Sequence, residues 1–162
     1  YSTWHRMLQR CYSEREHKRQ PAYIGCKACE EWHNFQNFGD WDKENYYKIE
    51  DEIMELDKDI LVKHNKIYSP ETCIYVPQTI NSLFTKCDRS RGESVIGTSL
   101  KDGKYQVRCN VINLKTRKFK REYLGRYTSE QEAFEVYKQF KENYIKEIAN
   151  YFKKQIPQKL RI

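Results

Sequence analysis

Two cysteines near the start of the chain have a spacing that suits metal chemistry. Cys26 and Cys29 form a Cys-x-x-Cys pair, and two thiolates at this spacing can hold one zinc ion. Cys11 and Cys73 are the candidates for further ligands of such a structural zinc site. Since no second Cys-x-x-Cys accompanies the pair, we favour the alternative that the thiols are packed in a core, where free cysteines are common.

A second set of residues predicts contact with a polyanion. From 104 to 111 apolar and polar residues alternate, which is typical of a strand with one buried face. The polar positions are Lys104, Gln106, Arg108 and Asn110, and the following segment adds Arg117, Lys118, Lys120, Arg121 and Arg126. Arginine contacts both phosphates and base edges, and a small antiparallel sheet fits the major groove. The pattern therefore predicts binding of double-stranded DNA, with a merely solvated outer face as the alternative.

The distribution of charge supports this prediction. The 162 residues carry 30 Lys and Arg against 23 Asp and Glu, a net charge of +7. Residues 1–92 carry 14 basic and 15 acidic side chains, whereas residues 93–162 carry 16 and 8. A nearly neutral module joined to a basic one is the pattern expected when one module meets a polyanion.

The elements that must position these residues change character near residue 90. The spacing predicts a helix over 2–19, a short or broken helix over 32–41 around Gly39, a strand over 72–76 and a helix after Pro77. The second half predicts a hairpin and a long helix that starts at Thr128 or Ser129, with Glu132 completing a capping box. We therefore expect an α+β fold with modules at 1–86 and 95–152, a linker at 87–94 and a basic tail at 153–162.

The second module resembles a known DNA-binding family. The shared residues are Gly97, Gly103-Lys104-Tyr105-Gln106, Tyr123-Leu124-Gly125, Thr128 to Phe134 and Tyr137. They are similar to the plant ethylene-response-factor (Apetala-type) DNA-binding domain over roughly residues 95–150. The resemblance implies a three-stranded sheet in the major groove, supported by one helix.

The first module resembles the HNH homing-type endonucleases of phage. The residues that carry this resemblance are Glu55 to Ile60, Asn65, Tyr68 to Pro77 and Gln78 to Asn81. The family has a ββα-metal core, two strands and a helix around one divalent ion. By this resemblance Asp57 and Asn81 are the expected ligands of Mg²⁺ or another divalent cation. A carboxylate and an amide oxygen suit such an ion, which keeps most of its coordination for water and the scissile phosphate.

The chain departs from the HNH family pattern at the position of the general base. Lys58 stands where the family has histidine, and Thr72 stands where its loop has asparagine. Two flanking carboxylates favour the charged ammonium of Lys58, so Asp59 and His64 are the substitutes that we name for the base. The alternative is that residues 57–59 form a solvated charge cluster on a fold that has lost its chemistry.

These observations together predict a metal-dependent DNA endonuclease or nickase whose target sites are chosen by the second module. The competing interpretation is a catalytically inactive, sequence-specific DNA-binding protein, a regulator or antagonist. No apolar run approaches the ~18 residues that span a bilayer, and no secretory leader pattern opens the sequence. With irregularly spaced cysteines as well, we expect a protein of the reducing cytoplasm, without a membrane partner.

Overall fold

The computed structural model describes residues 1–84 and 94–161 and divides the chain into two compact units. The first unit combines Tyr1–Asn81 with Pro157–Ile162, and the second unit is Ser82–Ile156. The chain thus leaves the first unit once and returns to it at its C-terminal end. Apart from Ser94, the expected linker at 87–94 lies outside the described residues.

The first unit opens with helices. These are α1 (Ser2–Tyr12), α2 (Glu14–Arg19) and α3 (Phe35–Asn45), with single 3-10 turns at Pro21–Tyr23 and Glu30–His33. The continuous helix expected over 2–19 is interrupted at Ser13, whose hydroxyl accepts a hydrogen bond from the amide of Glu16 and so begins α2. Conversely, α3 runs unbroken through Gly39, and the Asn34 side chain caps its start.

A strand–loop–strand–helix arrangement follows. β2 (Met54–Asp57) pairs antiparallel with β4 (Ile74–Pro77), and α4 (Gln78–Phe84) begins at the next residue. The long loop between these strands includes β3 (Ile67–Tyr68), which pairs in parallel with β1 (Lys27–Ala28). The order of elements expected around residues 57–81 is therefore present.

The core of the first unit joins α1, α3 and the strands. Its largest buried side chains are Trp32, Tyr68, Tyr75, Phe38 and Met7. Trp41 and Trp4 pack at its edge, and the indole nitrogen of Trp4 donates to the main-chain oxygen of Trp32. The aromatic series from Trp32 to Trp41 thus belongs to the hydrophobic core, where the burial of large rings stabilises the fold.

The second unit is a three-stranded antiparallel sheet with one long helix, which confirms the α+β class. The strands are β5 (Thr98–Lys101), β6 (Lys104–Ile112) and β7 (Phe119–Tyr127), in that order, and the helix is α5 (Glu130–Phe152). Val107 and Cys109 of β6 are buried, as are Ala133 and Ile148 of α5. Ser129 occupies the position before α5 without a side-chain cap, so the expected capping box does not form.

The end of the chain differs from the expected basic tail. After α5, Ile156 and Leu160 are buried, and Gln158–Leu160 forms a 3-10 turn. Pro157, Gln158 and Lys159 line a cavity together with Cys73 and Ile74 of the first unit. Ile156 and Leu160 are therefore core residues in a stretch that the sequence shows mainly as basic. Within the described ranges, no helix combines the length and apolar character needed to cross a membrane.

Candidate functional site

Asp57 ends β2 and organises the start of the loop that follows. Its Oδ1 accepts hydrogen bonds from the main-chain amides of Asp59, at 2.8 Å, and Ile60, at 2.7 Å. Burial raises the pKa of Asp57, the two amides oppose this shift, and the nearby Asp59 adds to it. One carboxylate oxygen of Asp57 thus fixes the start of the loop.

Asn81 reaches the same face of β2, but its contact is with another carboxylate. Its side-chain nitrogen donates to Oε2 of Glu55 at 2.6 Å, and Gln78 donates to the other oxygen at 3.0 Å. Glu55 and Asp57 point to one side of β2 because side chains alternate along a strand. Our sequence analysis did not identify Glu55 as a site residue, although this alternation places it beside Asp57.

Lys58 is placed as a hydrogen-bond donor, which argues against the role of general base. Its side chain is 7% exposed. Its nitrogen lies 3.0 Å from Oδ2 of Asp59 and 2.9 Å from the main-chain oxygen of Asn65, above the ring of Tyr68. An ammonium that donates to two acceptors has no lone pair for a proton. In this arrangement Lys58 holds the loop after β2, and its role as general base stays a prediction.

The two substitutes for the base lie on the surface of the same loop. Asp59 is half-exposed and paired with Lys58, so its carboxylate is already engaged. His64 is exposed, with a φ of 65° at the turn of the loop. Among the residues that the structure describes, His64 has no hydrogen-bond partner, and its exposure leaves both ring nitrogens accessible to solvent.

The donor atoms on this face fit a hard cation in type. Because the Asn81 nitrogen faces Glu55, its oxygen is directed elsewhere and is available as a ligand. Carboxylate and amide oxygens are the donors that Mg²⁺ prefers. Among the residues that the structure describes, no group of three or more His, Cys, Asp or Glu converges on one point. A cation here would thus be held by few protein atoms and would keep several waters.

The candidate zinc ligands lie in or against the core of the first unit. Cys11, Cys26 and Cys73 are buried in it, and Cys29 packs against its edge. Burial raises the pKa of Cys11 to about 12 and that of Cys73 to about 12, and it also raises the pKa of Cys29. Such thiols stay protonated at neutral pH, which matches the packed-thiol interpretation, and zinc binding stays a prediction.

The outer face of the second unit's sheet collects exposed cations. Arg108 lies opposite Tyr123 and Asn110 lies opposite Arg121, on the side away from Val107 and α5. Lys104, Arg108, Asn110 and Arg121 are all exposed. Lys104, Arg108 and Arg121 form no ion pair with any described residue. We call Lys104, Arg108, Asn110 and Arg121, with the aromatic residues between them, the outer face.

Two of the predicted DNA contacts belong to the other side of the sheet. Lys120 lies opposite Val111 and forms an ion pair of 2.7 Å with Glu122. Arg117, in the turn before β7, has a φ of 55° and places its guanidinium over the rings of Tyr151 and Phe152. These corrections have a common cause, because the register and the turn decide which way each side chain points.

The remaining predicted contacts are partly engaged. Gln106 is on the outer face by register but only 9% exposed, in the central strand between Ser99 and Arg126. Arg126 donates to the carboxylate of Asp102 at 3.1 Å and to the main-chain oxygen of Lys101. Lys118 is exposed in the turn before β7.

A bulge allows Arg121 and Arg126 to share the outer face. The β6–β7 register shifts between Val107 and Arg108, so Leu124 has no partner in β6. One extra residue reverses the alternation along the strand, so the odd-numbered Arg121 and the even-numbered Arg126 point the same way.

Comparisons of this chain with protein-family models, with curated proteins and with solved structures found no match.

Proposed function

We propose that the chain binds duplex DNA through the outer face of the second unit. The observation that carries this proposal is the presence of exposed, unpaired Lys104, Arg108 and Arg121 on one face of a small sheet. A sheet of this kind fits the major groove, where arginine pairs with guanine and asparagine with adenine. Asn110, directly opposite Arg121, supplies the second type of contact.

The test compares neighbouring cations that point to opposite faces. Arg121→Ala should weaken binding of the full chain to a duplex by about 1–3 kcal/mol if the guanidinium contacts a base edge. Lys120→Ala is the matched control, because Lys120 is the adjacent residue and is paired with Glu122 on the helix side. For the parent, log K should fall linearly with log salt. Equal effects of the two substitutions would contradict the assignment of the face.

A second candidate function is phosphodiester hydrolysis by the first unit, which the arrangement of β2, β4 and α4 supports. Asn81 meets Glu55 on the face of β2 that also carries Asp57, so the expected ligand types are brought to one surface. A divalent ion bound there would stabilise the charge on the scissile phosphate and on the leaving 3′-oxygen.

Four residues of the first unit would have separate roles in this reaction. Asp57 would use Oδ1 to hold the loop and Oδ2 as ligand, and Glu55 would keep the Asn81 amide oriented. His64 is the group we assign to accept the proton of the attacking water, because a neutral imidazole has a nitrogen lone pair that accepts a proton. A separate DNA-binding unit would raise the local concentration of this centre at its target.

Plasmid cleavage with Mg²⁺ or Mn²⁺, with and without EDTA, separates the two candidates. Asp57→Ala, Asn81→Ala and His64→Ala should each lose cutting and keep DNA binding. Asp40→Ala is the control, since Asp40 is an exposed carboxylate on α3 that forms an ion pair with Lys43. A parent protein that binds duplex DNA and never cuts it would refute hydrolysis and leave a sequence-specific DNA-binding protein.

A further inference from the structure

Two aromatic rings share the outer face with the unpaired cations. Phe119 is 65% exposed and Tyr123 is 56% exposed. Both point away from α5, because Phe119 lies opposite Ile112 and Tyr123 lies opposite Arg108. Along β7 they flank Arg121 on the same side of the strand. Scattered exposed apolar residues are ordinary, but an aromatic–cation–aromatic row on a basic face offers a specific contact surface.

We propose that Tyr123 and Phe119 contact thymine methyl groups in the major groove, so that the outer face selects A·T pairs beside the guanines contacted by Arg108 and Arg121. This inference rests on the proposed binding of duplex DNA and names the base pairs that such binding would prefer. It assigns a specificity role to two residues that the charge pattern alone does not single out.

The chemistry of the groove favours this contact. In an intact duplex the flat faces of the bases are stacked on one another, and a protein meets only their edges. Those edges present hydrogen-bonding groups and one apolar group, the C5-methyl of thymine. The Phe119 ring has no polar atom, so thymine is the base whose edge it matches. The charge of the surrounding cations supplies the attraction to the phosphates on either side.

The register places each ring beside a polar group that can contact the next base. Residues directly opposite in an antiparallel pair have Cβ atoms about 4.5–5.5 Å apart, so the side chains of Tyr123 and Arg108 leave the outer face as neighbours. Asn110 is likewise opposite Arg121 and is of the type that pairs with adenine. Contact of the Asn110 amide with adenine and contact of an aromatic ring with thymine would each select an A·T pair.

The distance between the rings sets the spacing of the two thymines. Phe119 and Tyr123 are four positions apart on β7, which is about 13 Å at about 3.4 Å per residue of an extended strand. Successive base pairs of B-DNA are about 3.4 Å apart along the axis. A strand that lies along the groove would therefore place the two thymine contacts about four base pairs apart.

The experiment removes the methyl group from the DNA and the ring from the protein. The full-length chain selects its preferred duplex from a random-sequence pool, and that duplex is remade with deoxyuridine in place of each thymine in turn. We expect two sensitive thymines at the stated spacing. Each deoxyuridine should weaken binding about fourfold, the effect of one buried methyl group.

The variants show whether the named rings sense the methyl group. Tyr123→Ser and Phe119→Ser should each lose discrimination at one of the two thymines and keep it at the other. Leu100→Ser is the matched control, since Leu100 is 60% exposed on the opposite side of the same sheet, paired with Tyr105. It should discriminate between thymine and uracil as the parent does. Thermal unfolding confirms that each variant is folded.

Three results would overturn the inference. Equal affinity of the parent for the thymine and uracil duplexes would exclude a methyl contact while leaving duplex binding intact. Tighter binding to a mismatched or single-stranded oligonucleotide, lost with Tyr123→Ser, would show that the rings stack on unpaired bases instead. An absence of salt-dependent binding to any duplex would refute the proposed function itself.

Discussion

The ammonium of Lys58 lies 2.9 Å from the main-chain oxygen of Asn65, and the Asn65 amide returns a hydrogen bond of 2.7 Å to the main-chain oxygen of Lys58. This reciprocal pair closes the loop that follows β2. Asn65 also donates to the main-chain oxygen of Ile67, at 2.6 Å, and accepts from its amide. The geometry of the loop thus depends on a buried cation and one asparagine.

Replacing Lys58 by methionine should therefore destabilise the first unit. The change keeps the apolar stem but removes the donor, which leaves the Asn65 oxygen without its partner, at a cost of about 1–3 kcal/mol. Urea unfolding measures the loss. Lys63→Met, at an exposed lysine of the same loop, should stay within about 0.5 kcal/mol of the parent. Unchanged stability of Lys58→Met together with lost cleavage would instead indicate that Lys58 is the general base.

Asp57→Asn should become more stable relative to the parent as the pH rises. Burial raises the pKa of Asp57 in the folded protein, so ionisation disfavours folding. That penalty is absent below the unfolded-state pKa of about 3.9, grows as the pH rises from there to the raised value, and is constant above it. Asparagine keeps an oxygen for the amides of Asp59 and Ile60 without the charge. The measurement is the difference in unfolding free energy between variant and parent across this range.

The control for this titration is Asp40→Asn, at an exposed carboxylate of α3. The difference in unfolding free energy between Asp40→Asn and the parent should not increase with pH, whereas that of Asp57→Asn should. Adding Mg²⁺ at neutral pH should raise the melting temperature of the parent and not that of Asp57→Asn, because a ligand of the folded state stabilises it. A pH-independent difference for Asp57→Asn would contradict a desolvated carboxylate at this position.

Periodicity predicted the elements of the second unit well, because burial against one helix imposes a period of two on β6. The same rule did not predict the direction of individual side chains at the bulge in β7 or in the turn before it. Leu124 shifts the alternation of β7, and the left-handed conformation of Arg117 turns its guanidinium towards α5. Before the register is known, nothing in the sequence of residues 117–126 distinguishes Arg117 and Lys120, on the helix side, from Arg121 on the outer face.

In the first unit the resemblance did not predict the contacts of the residues that it named. It paired Asn81 with Asp57 as ligands of one cation, whereas the carboxylate that Asn81 contacts is that of Glu55. It placed Lys58 at the position of the general base, whereas its burial and its two hydrogen bonds as a donor depend on the tertiary structure. Burial and hydrogen-bond partners are tertiary properties, so a residue's position in a motif cannot supply them.

The four cysteines of the first unit should differ in their rates of alkylation. Thiolates are the reactive form, and burial raises the pKa of Cys11 and of Cys73 to about 12. Cys29 is partly exposed and should be labelled by iodoacetamide before either of them at about pH 8. Peptide mapping after short exposure measures the order, and urea should abolish it.

A zinc clip would change this result in a recognisable way. Zinc bound by Cys26 and Cys29 would protect Cys29 until a chelator was added, and chelation would then lower the melting temperature of the first unit. Labelling of Cys29 at the same rate with and without chelator would exclude zinc at this pair. Labelling of Cys11 and Cys73 as fast as Cys29 would contradict their burial.

Gly97→Ala should be more damaging than Gly103→Ala, although both glycines have positive φ. A methyl group on Gly97 would lie 2.0 Å from Cδ2 of Tyr137, whereas one on Gly103 would meet nothing within 4 Å. Left-handed backbone strain alone costs about 1–2 kcal/mol, and overlap with a packed ring adds about 1–3 kcal/mol. Urea unfolding of the full chain should therefore show the larger loss for Gly97→Ala. Equal losses would mean that Tyr137 can move aside.

The substitution at Gly97 should also weaken DNA binding, because the main-chain oxygen of Gly97 accepts a hydrogen bond of 2.9 Å from the amide of Arg108. Displacing Gly97 from the Tyr137 ring would disturb the strand that presents Arg108 on the outer face. Gly103→Ala, at a turn without such a contact, should retain more of the affinity. Filter binding at fixed salt compares the two variants. If Gly97→Ala lost stability but bound duplex DNA like the parent, the position of Arg108 would not matter for recognition.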